Sequence, residues 1–314
     1  MDHNSKIAVF GGSGLLGGSV RRALKERGYR NVNCPSSLDV DLLDKRSVES
    51  YLDIEKPEYI FMTAGLVGGI SGNIARPADF LYENTGMALN LFEGIKNFSP
   101  KSKILYVGSS CIYPRENPQP IHESRFLCGP PEETNKGYAI AKGWGVVACE
   151  LYRKQYGIDA ICAMPTNLYG TGDNYDLENG HMIAATIKKF LLAKESGKEI
   201  VGWGKGIARR EALYSDDCAD ALIYLMGNHS SDEIVNIGTG IDYTIKEFYE
   251  TIGDLIGGDI NVKWDMSKSD GMLEKRSDIS RLMGIYPGFS PRGLKNGIRD
   301  ILSNEEEVER ILKV

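Results

Sequence analysis

Tyr138 and Lys142 stand four residues apart in GYAIAKGWG, Gly137 to Gly145, so on a helix a phenol and an ammonium would share one face, a turn apart. Alone the pair says little, because Tyr-x-x-x-Lys also describes many solvated helix faces. A third group gives it meaning. Ser109, in GSSCIYP, follows the apolar run KILYV, which reads as a buried strand. A phenol is a poor acid or base at neutral pH because its reference pKa is about 10. A lysine one turn away favours the phenolate and is expected to lower that value. A serine hydroxyl can hold a substrate carbonyl against the phenol. Together the three suit hydride transfer at a carbinol or ketone carbon.

Such chemistry needs a hydride source and a scaffold, and KIAVFGGSGLLGGSVRRALKERG points to both. Lys6 to Phe10 reads as a short buried strand. Gly11-Gly12-Ser13-Gly14-Leu15-Leu16-Gly17 follows. Leu15, Leu16, Val20, Ala23 and Leu24 then keep helical spacing, and Gly28 closes the helix. Gly11, Gly14 and Gly17 thus fall at a strand-to-helix junction, where the backbone can approach a pyrophosphate stabilised by the helix N-terminus. A ligand-free glycine turn is the alternative; the complete strand–turn–helix context favours a dinucleotide. Further strands are predicted at NVNC, PEYIFMTAGLVGG, KILYVGSS and DAICAMPTNLYG, with helices over Pro77 to Phe98 and Gly137 to Tyr156. This alternation implies a Rossmann-type α/β fold, a doubly wound parallel sheet covered on both faces. Ligands bind beyond the carboxyl ends of such strands. That places Ala64-Gly65, Val107-Gly108-Ser109 and Pro165-Thr166-Asn167-Leu168 at the crevice. A nicotinamide ring bound there would, when positive, further favour the Tyr138 phenolate.

The end of the second strand reads the adenosine ribose. Asn33-Cys34-Pro35-Ser36-Ser37 has no acid to hold a 2′-hydroxyl and repel a 2′-phosphate, which leans the cofactor to NADPH. Ser37 can hydrogen-bond a phosphate, although no arginine is near in sequence. Asp41 and Leu42 are expected beside the adenine, with an ordinary capping turn as the alternative. The formal net charge of −6 gives no general attraction to nucleic acid or an anionic membrane. The six cysteines form no Cys-x-x-Cys or zinc pattern, which favours reduced thiols, no metal site and a cytoplasmic protein. No signal-peptide core opens the sequence, and no apolar run is long enough to span a bilayer.

GSSCIYP, YAIAK, MPTNLYG, DNYDLENGH, GWGKGIARREALYSDD, VNIGTG and SKSDG carry a resemblance that runs from Lys6 to about Leu282. The chain resembles the extended short-chain dehydrogenase/reductases and, among them, the GDP-L-fucose synthase family of 3,5-epimerase/4-reductases. The resemblance implies NADPH, a GDP-4-keto-sugar substrate and a homodimer. It implies a Rossmann domain over residues 1–166, to which segments near 208–240 return, and a smaller, mainly substrate-binding C-terminal domain over 167–314. It assigns Ser109, Tyr138 and Lys142 to a reductase triad, with Lys142 and His181 also at the cofactor. Cys111 and His181 would move protons at C3 and C5, whose hydrogens are acidic because they flank the C4 ketone. A thiolate and an imidazole suit that work at neutral pH. Without the resemblance, Cys111 reads as a small buried hydrophobe and His181 as a helix N-cap neighbour.

The resemblance also places Asn167, Lys189, Trp203, Arg210 and Asp270 at the substrate. Lys188 and Lys189 are expected at the far end of the helix HMIAATIKKF, with Lys189 facing the nucleotide diphosphate. Trp203 offers a flat surface and Arg210 a guanidinium for phosphate. Asp270 has an alternative as a turn residue before Gly271. Ala212 departs from a common phenylalanine, Tyr214 from a histidine and Ser13 from an arginine. Relatives with this motif set include C4 reductases of GDP-4-keto-heptoses, so that reaction is the alternative; a non-catalytic NADP sensor is a remoter one. Two long helices carry apolar residues on more than one face: Phe80, Leu81, Met87, Leu89, Leu91, Phe92 and Ile95, then Trp144, Val146, Val147, Leu151 and Tyr152. A second subunit, or deeper burial in a monomer, would cover them.

Overall fold

Short runs of buried apolar residues set the centre of the molecule. In the computed structural model, which describes residues 1–258, 261–267 and 272–313, β1 (Ile7–Phe10), α1 (Leu15–Glu26) and β2 (Val32–Asn33) come first. Then follow α2 (Lys45–Glu55), β3 (Tyr59–Met62), α3 (Ile70–Ala75), α4 (Pro77–Phe98), β4 (Lys103–Val107), α5 (Lys136–Tyr156) and β5 (Ala160–Pro165). The second half runs β6 (Asn167–Tyr169), α6 (Met182–Ser196), β7 (Ile200–Trp203), β8 (Arg209–Tyr214), α7 (Ser215–Asn228) and β9 (Val235–Ile237). It closes with β10 (Asp242–Thr244), α8 (Ile245–Ile256), β11 (Val262–Asp265), β12 (Glu274–Lys275), α9 (Ser280–Ile285), α10 (Leu294–Leu302) and α11 (Glu305–Lys313).

Six strands pair in parallel in the order β2-β1-β3-β4-β5-β9. Side-chain alternation sends Ala8, Phe10, Ile60, Met62 and Ile104 to a core shared with α2, α4 and α5. It sends Ile7, Val9, Phe61, Leu105 and Ile161 to another shared with α1 and α7. Burial on both faces is why these strands read as continuous apolar runs. The strand order reverses between β1 and β3, the point at which such sheets bind ligands. A third core joins Ile183, Ile187, Phe190, Phe248, Ile252 and Ile298 beneath a smaller sheet of β10, β8 and β12, with β6 beside β8.

Two expectations change. The strand read through DAICAMPTNLYG is two: β5 pairs with β4 and β9, whereas β6 pairs with β8. The chain crosses between sheets at Thr166, whose N–H donates to the Ile237 carbonyl while Asn167 Nδ2 reaches the Glu211 carbonyl at 2.8 Å. The helix read as HMIAATIKKF continues to Ser196, so Lys188 and Lys189 lie mid-helix, and Lys188 is buried. On α4 and α5, Phe80, Leu91, Phe92, Ile95 and Val146 are buried, while Leu81, Leu89 and Leu151 stay 40–50% exposed. Among the described residues, no helix is long and apolar enough to cross a membrane.

The glycine loop follows from close approach. A Cβ on Gly17 would lie 2.0 Å from the Gly11 carbonyl oxygen, and one on Gly11, whose φ is +85°, 2.6 Å from the Ala64 nitrogen. Both neighbours are backbone and cannot swing away. Gly17→Ala is therefore expected to cost about 1–3 kcal/mol and to weaken dinucleotide binding; thermal unfolding and a binding titration measure both. Unchanged values would mean that the loop does not need this contact.

Candidate active site

The junction of β1 and α1 fits a dinucleotide. Gly14 caps α1 without a side-chain hydrogen bond, and the first turn holds no acid, so its free N–H groups stand ready for an anion. The loop after β3 comes alongside: a Cβ on Gly65 would lie 2.9 Å from Asn84 Oδ1 and 3.3 Å from Lys142 Nζ. At the end of β2, Cys34 packs on Gly12. Burial pushes the Cys34 thiol up, and the charge of Arg21 on α1 partly offsets this. The charge of an arginine on α1 thus acts on the thiol that follows β2. Asp41 forms the turn before α2: its Oδ1 accepts the Leu43 N–H at 2.8 Å, and its own N–H donates to Ser47 Oγ at 3.1 Å. Leu42 sits in the core, with its carbonyl taken by Asn90 Nδ2 at 2.9 Å.

Beyond β4 the chain tightens into a short turn, Ser110–Ile112, capped by Ser109, whose Oγ accepts the Cys111 N–H at 3.2 Å. The Ser109 side chain also acts on the Tyr138 phenol, favouring its ionised form. Cys111 Sγ faces two donors, Asn135 Nδ2 at 3.2 Å and Lys275 Nζ at 3.7 Å. Lys142 is buried; its Nζ donates to the Val107 carbonyl at 3.0 Å and lies 5.9 Å from the centre of the Tyr138 ring. Ser109, Cys111, Tyr138 and Lys142 thus form one cluster.

The expected lowering of the Tyr138 pKa is reversed. Burial pushes the phenol well up and the neighbouring Cys111 adds to this, with only the Ser109 side chain opposing. Lys142 donates to the Val107 carbonyl, and burial pulls its own pKa down to about 8. A phenol that stays protonated is the form that can give a proton to a carbonyl oxygen.

His181 is the N-cap residue of α6, yet its ring makes no cap. Nδ1 lies instead 3.2 Å from Oδ1 of Asp173, which is 2% exposed. That hydrogen bond raises the imidazole pKa, burial opposes it, and the Asp173 charge adds to the rise. Gly69 N–H donates to the Asn179 carbonyl at 3.1 Å, tying the turn before His181 to the loop after β3.

On the other side of the cleft, Arg210 and Lys275 lie side by side in register on β8 and β12. Arg210 Nη1 donates to the Met272 carbonyl at 2.6 Å. Glu211 holds the strands together: fully buried, it accepts the N–H groups of Thr239, Gly240 and Ser277 at 2.7, 2.7 and 2.8 Å. Three backbone donors replace the water that the carboxylate loses. Trp203 is 54% exposed on β7, and burial lowers the pKa of Lys189 on α6. Asp270 lies outside the described residues. Ala212 and Tyr214 are buried core residues, in register with Asn167 and Tyr169 on β6. Asn135, Lys275, Asp173 and Arg21 escaped the sequence reading. Asp173 opens the quoted DNYDLENGH and Asn135 precedes Tyr138 by three residues, but Lys275 carries no local signal.

A parallel sheet with a glycine cradle at its switch point and Ser109, Tyr138 and Lys142 at its carboxyl edge defines a Rossmann-type dehydrogenase/reductase. The chain belongs to the NAD dependent epimerase/dehydratase family, which matches residues 7–238, and within it to the GDP-L-fucose synthase family. It is 42% identical over 299 residues to GDP-L-fucose synthase 1 of Arabidopsis thaliana, covering 95% of this chain and 92% of that one. Among solved structures, a GDP-6-OMe-4-keto-L-xylo-heptose reductase from C. jejuni superposes with a TM-score of 0.91 at 30% identity, covering 96% of this chain and 98% of the other. MlghC, a GDP-mannoheptose C4 reductase from Campylobacter jejuni with NADP bound, gives 0.87 at 31% identity over 100% of each chain.

Proposed function

We propose that this enzyme epimerises C3 and C5 and reduces C4 of GDP-4-keto-6-deoxymannose, forming GDP-L-fucose with NADPH. The observation that carries the reading is Cys111. Its thiol, set between two donors beside Ser109, Tyr138 and Lys142, suits removal of a proton from carbon, a step that C4 reduction alone does not include. His181, paired with Asp173, supplies a separate acid. Identity of 42% over 299 residues to a GDP-L-fucose synthase supports the same choice.

In this reading Ser109 holds the C4 carbonyl and Tyr138 gives its proton to the oxygen. Cys111 takes a proton from carbon, and His181 returns one on the opposite face. Lys189, Trp203 and Arg210 hold the nucleotide diphosphate end, and Asn167 and Asp270 also bind the substrate. NADPH, held by Gly11–Gly17, the strand ends and Lys142, supplies the hydride for C4. Residues 1–166, joined by α7 and β9, form the cofactor domain, and 167–314 mainly the substrate domain. Leu81, Leu89 and Leu151, exposed on α4 and α5, support an isologous homodimer. Six free thiols suit a cytoplasmic setting.

NADPH oxidation against GDP-4-keto-6-deoxymannose and GDP-4-keto-heptoses, with mass spectrometry of products, tests the substrate. A higher kcat/KM on a heptose would favour the C4-reductase reading. Arg21 brings the positive charge for a 2′-phosphate. Wild type should prefer NADPH to NADH in kcat/KM, and Arg21→Ala should cut that preference roughly tenfold. A higher specificity constant with NADH in the wild type would contradict both.

A further inference from the structure

The turn that carries Asp173 is held from behind by the last described helix. Glu307, 5% exposed, accepts on Oε1 the Gly172 N–H at 2.8 Å and the Tyr175 hydroxyl at 3.0 Å. Arg310 grips both oxygens of Glu307, at 2.7 and 2.9 Å, and donates through Nη2 to the Asp173 carbonyl at 2.9 Å. Its guanidinium also lies 5.0 Å from the centre of the Tyr175 ring. Held in this way, Asp173 turns Oδ1 to His181 Nδ1 at 3.2 Å and to the Asn174 N–H at 2.7 Å. Its Oδ2 is buried without a hydrogen-bond partner among the described residues. A buried carboxylate on Nδ1 fixes the ring tautomer and orientation, aims Nε2 away from itself and stabilises the imidazolium.

We infer that Asp173 is the positioning residue that makes His181 a proton donor, and that Glu307 and Arg310 of α11 lock it in place, a role that rests on the epimerase reading above. In the step served, a C–H proton passes to the Cys111 sulfur on one face. The resulting enolate carbon takes the Nε2 proton on the other. The ring is left neutral, and Nδ1–H stays on Asp173.

Asp173→Asn keeps the side-chain shape and removes its charge. Two readouts apply to the full chain: titration of His181 by NMR in histidine-labelled protein, and deuterium uptake at C3 and C5 relative to hydride delivery at C4, in heavy water. Asp173 is the charge that acts on the ring; around its turn lie Asp176 and Glu178, with Lys188 acting on Asp176 from α6 and Arg310 with Glu307 behind, and α3 carries no charged residue. Wild-type His181 should titrate above its ordinary value, and the variant should fall back, because the Asp173 hydrogen bond is the main cause of the rise. Deuterium uptake should drop roughly 10- to 1000-fold relative to hydride transfer, with NADPH binding unchanged. Arg310→Met, remote from the ring, should move both readouts the same way by less, and serves alone if Asp173→Asn does not fold. Wild-type titration and uptake in these variants, with wild type itself exchanging, overturn the inference alone. No exchange in the wild type overturns the epimerase reading and the donor role together.

Discussion

Tyr138→Phe is expected to bind NADPH almost as wild type does and to reduce the C4 ketone roughly 10²- to 10⁴-fold more slowly. The ring is partly buried and packs edge-on against Phe80, with centres 6.3 Å apart, so phenylalanine fills the same space. Only the hydroxyl is lost, and with it the interaction with Ser109 and the proton for the C4 oxygen. Because burial and Cys111 hold the phenol protonated, wild-type activity should not depend on a phenolate forming first. Stopped-flow NADPH oxidation separates binding from reduction. Full reductase activity in the variant would remove Tyr138 from the mechanism.

Cys111→Ser should separate the two chemistries. Serine can still receive the donors of Asn135 and Lys275, so the local structure is kept. Its hydroxyl is too weak an acid to be deprotonated without an activating base, so it cannot take a proton from carbon. Uptake of solvent deuterium at C3 and C5 is expected to fall roughly 10²- to 10⁴-fold, while NADPH binding persists. Slow reduction of the unepimerised ketone would give a GDP sugar of the starting configuration at both carbons. In the wild type, solvent deuterium should enter C3 and C5, and C4 should receive its hydrogen from NADPH. If the wild type incorporates none with any sugar that it reduces, Cys111 and His181 are not epimerisation groups and the simple C4 reductase moves ahead.

The sheet and its glycine cradle were legible because their signals are local. A buried parallel strand is an apolar run, a helix repeats every three to four residues, and a close turn demands glycine. The bounds Pro77–Phe98 read from sequence are those of α4, and α5 starts one residue before the expected Gly137. DAICAMPTNLYG misled because both of its strands are apolar enough to read as one; only the partners, β9 for one and β8 for the other, divide it. Lys188 and Lys189 looked terminal because the quoted stretch stopped before LLAKES, which continues α6.

Residue types and short spacings alone determined the parallel α/β fold, the dinucleotide loop and the grouping of Ser109, Tyr138 and Lys142. Each rests on neighbours within a turn or at a strand end, where covalent geometry already limits the outcome. Tertiary structure decided the rest. Lys275 meets Cys111 across 164 residues, Arg310 meets Asp173 across 137, and Glu211 binds the turn after β9 and the segment after β12 at once. No periodicity encodes such meetings, because they depend on how separate elements pack. The same holds for the Tyr138 phenol: sequence supplied a lysine one turn away, but burial of the site and the neighbouring Cys111 push the proton's affinity the other way.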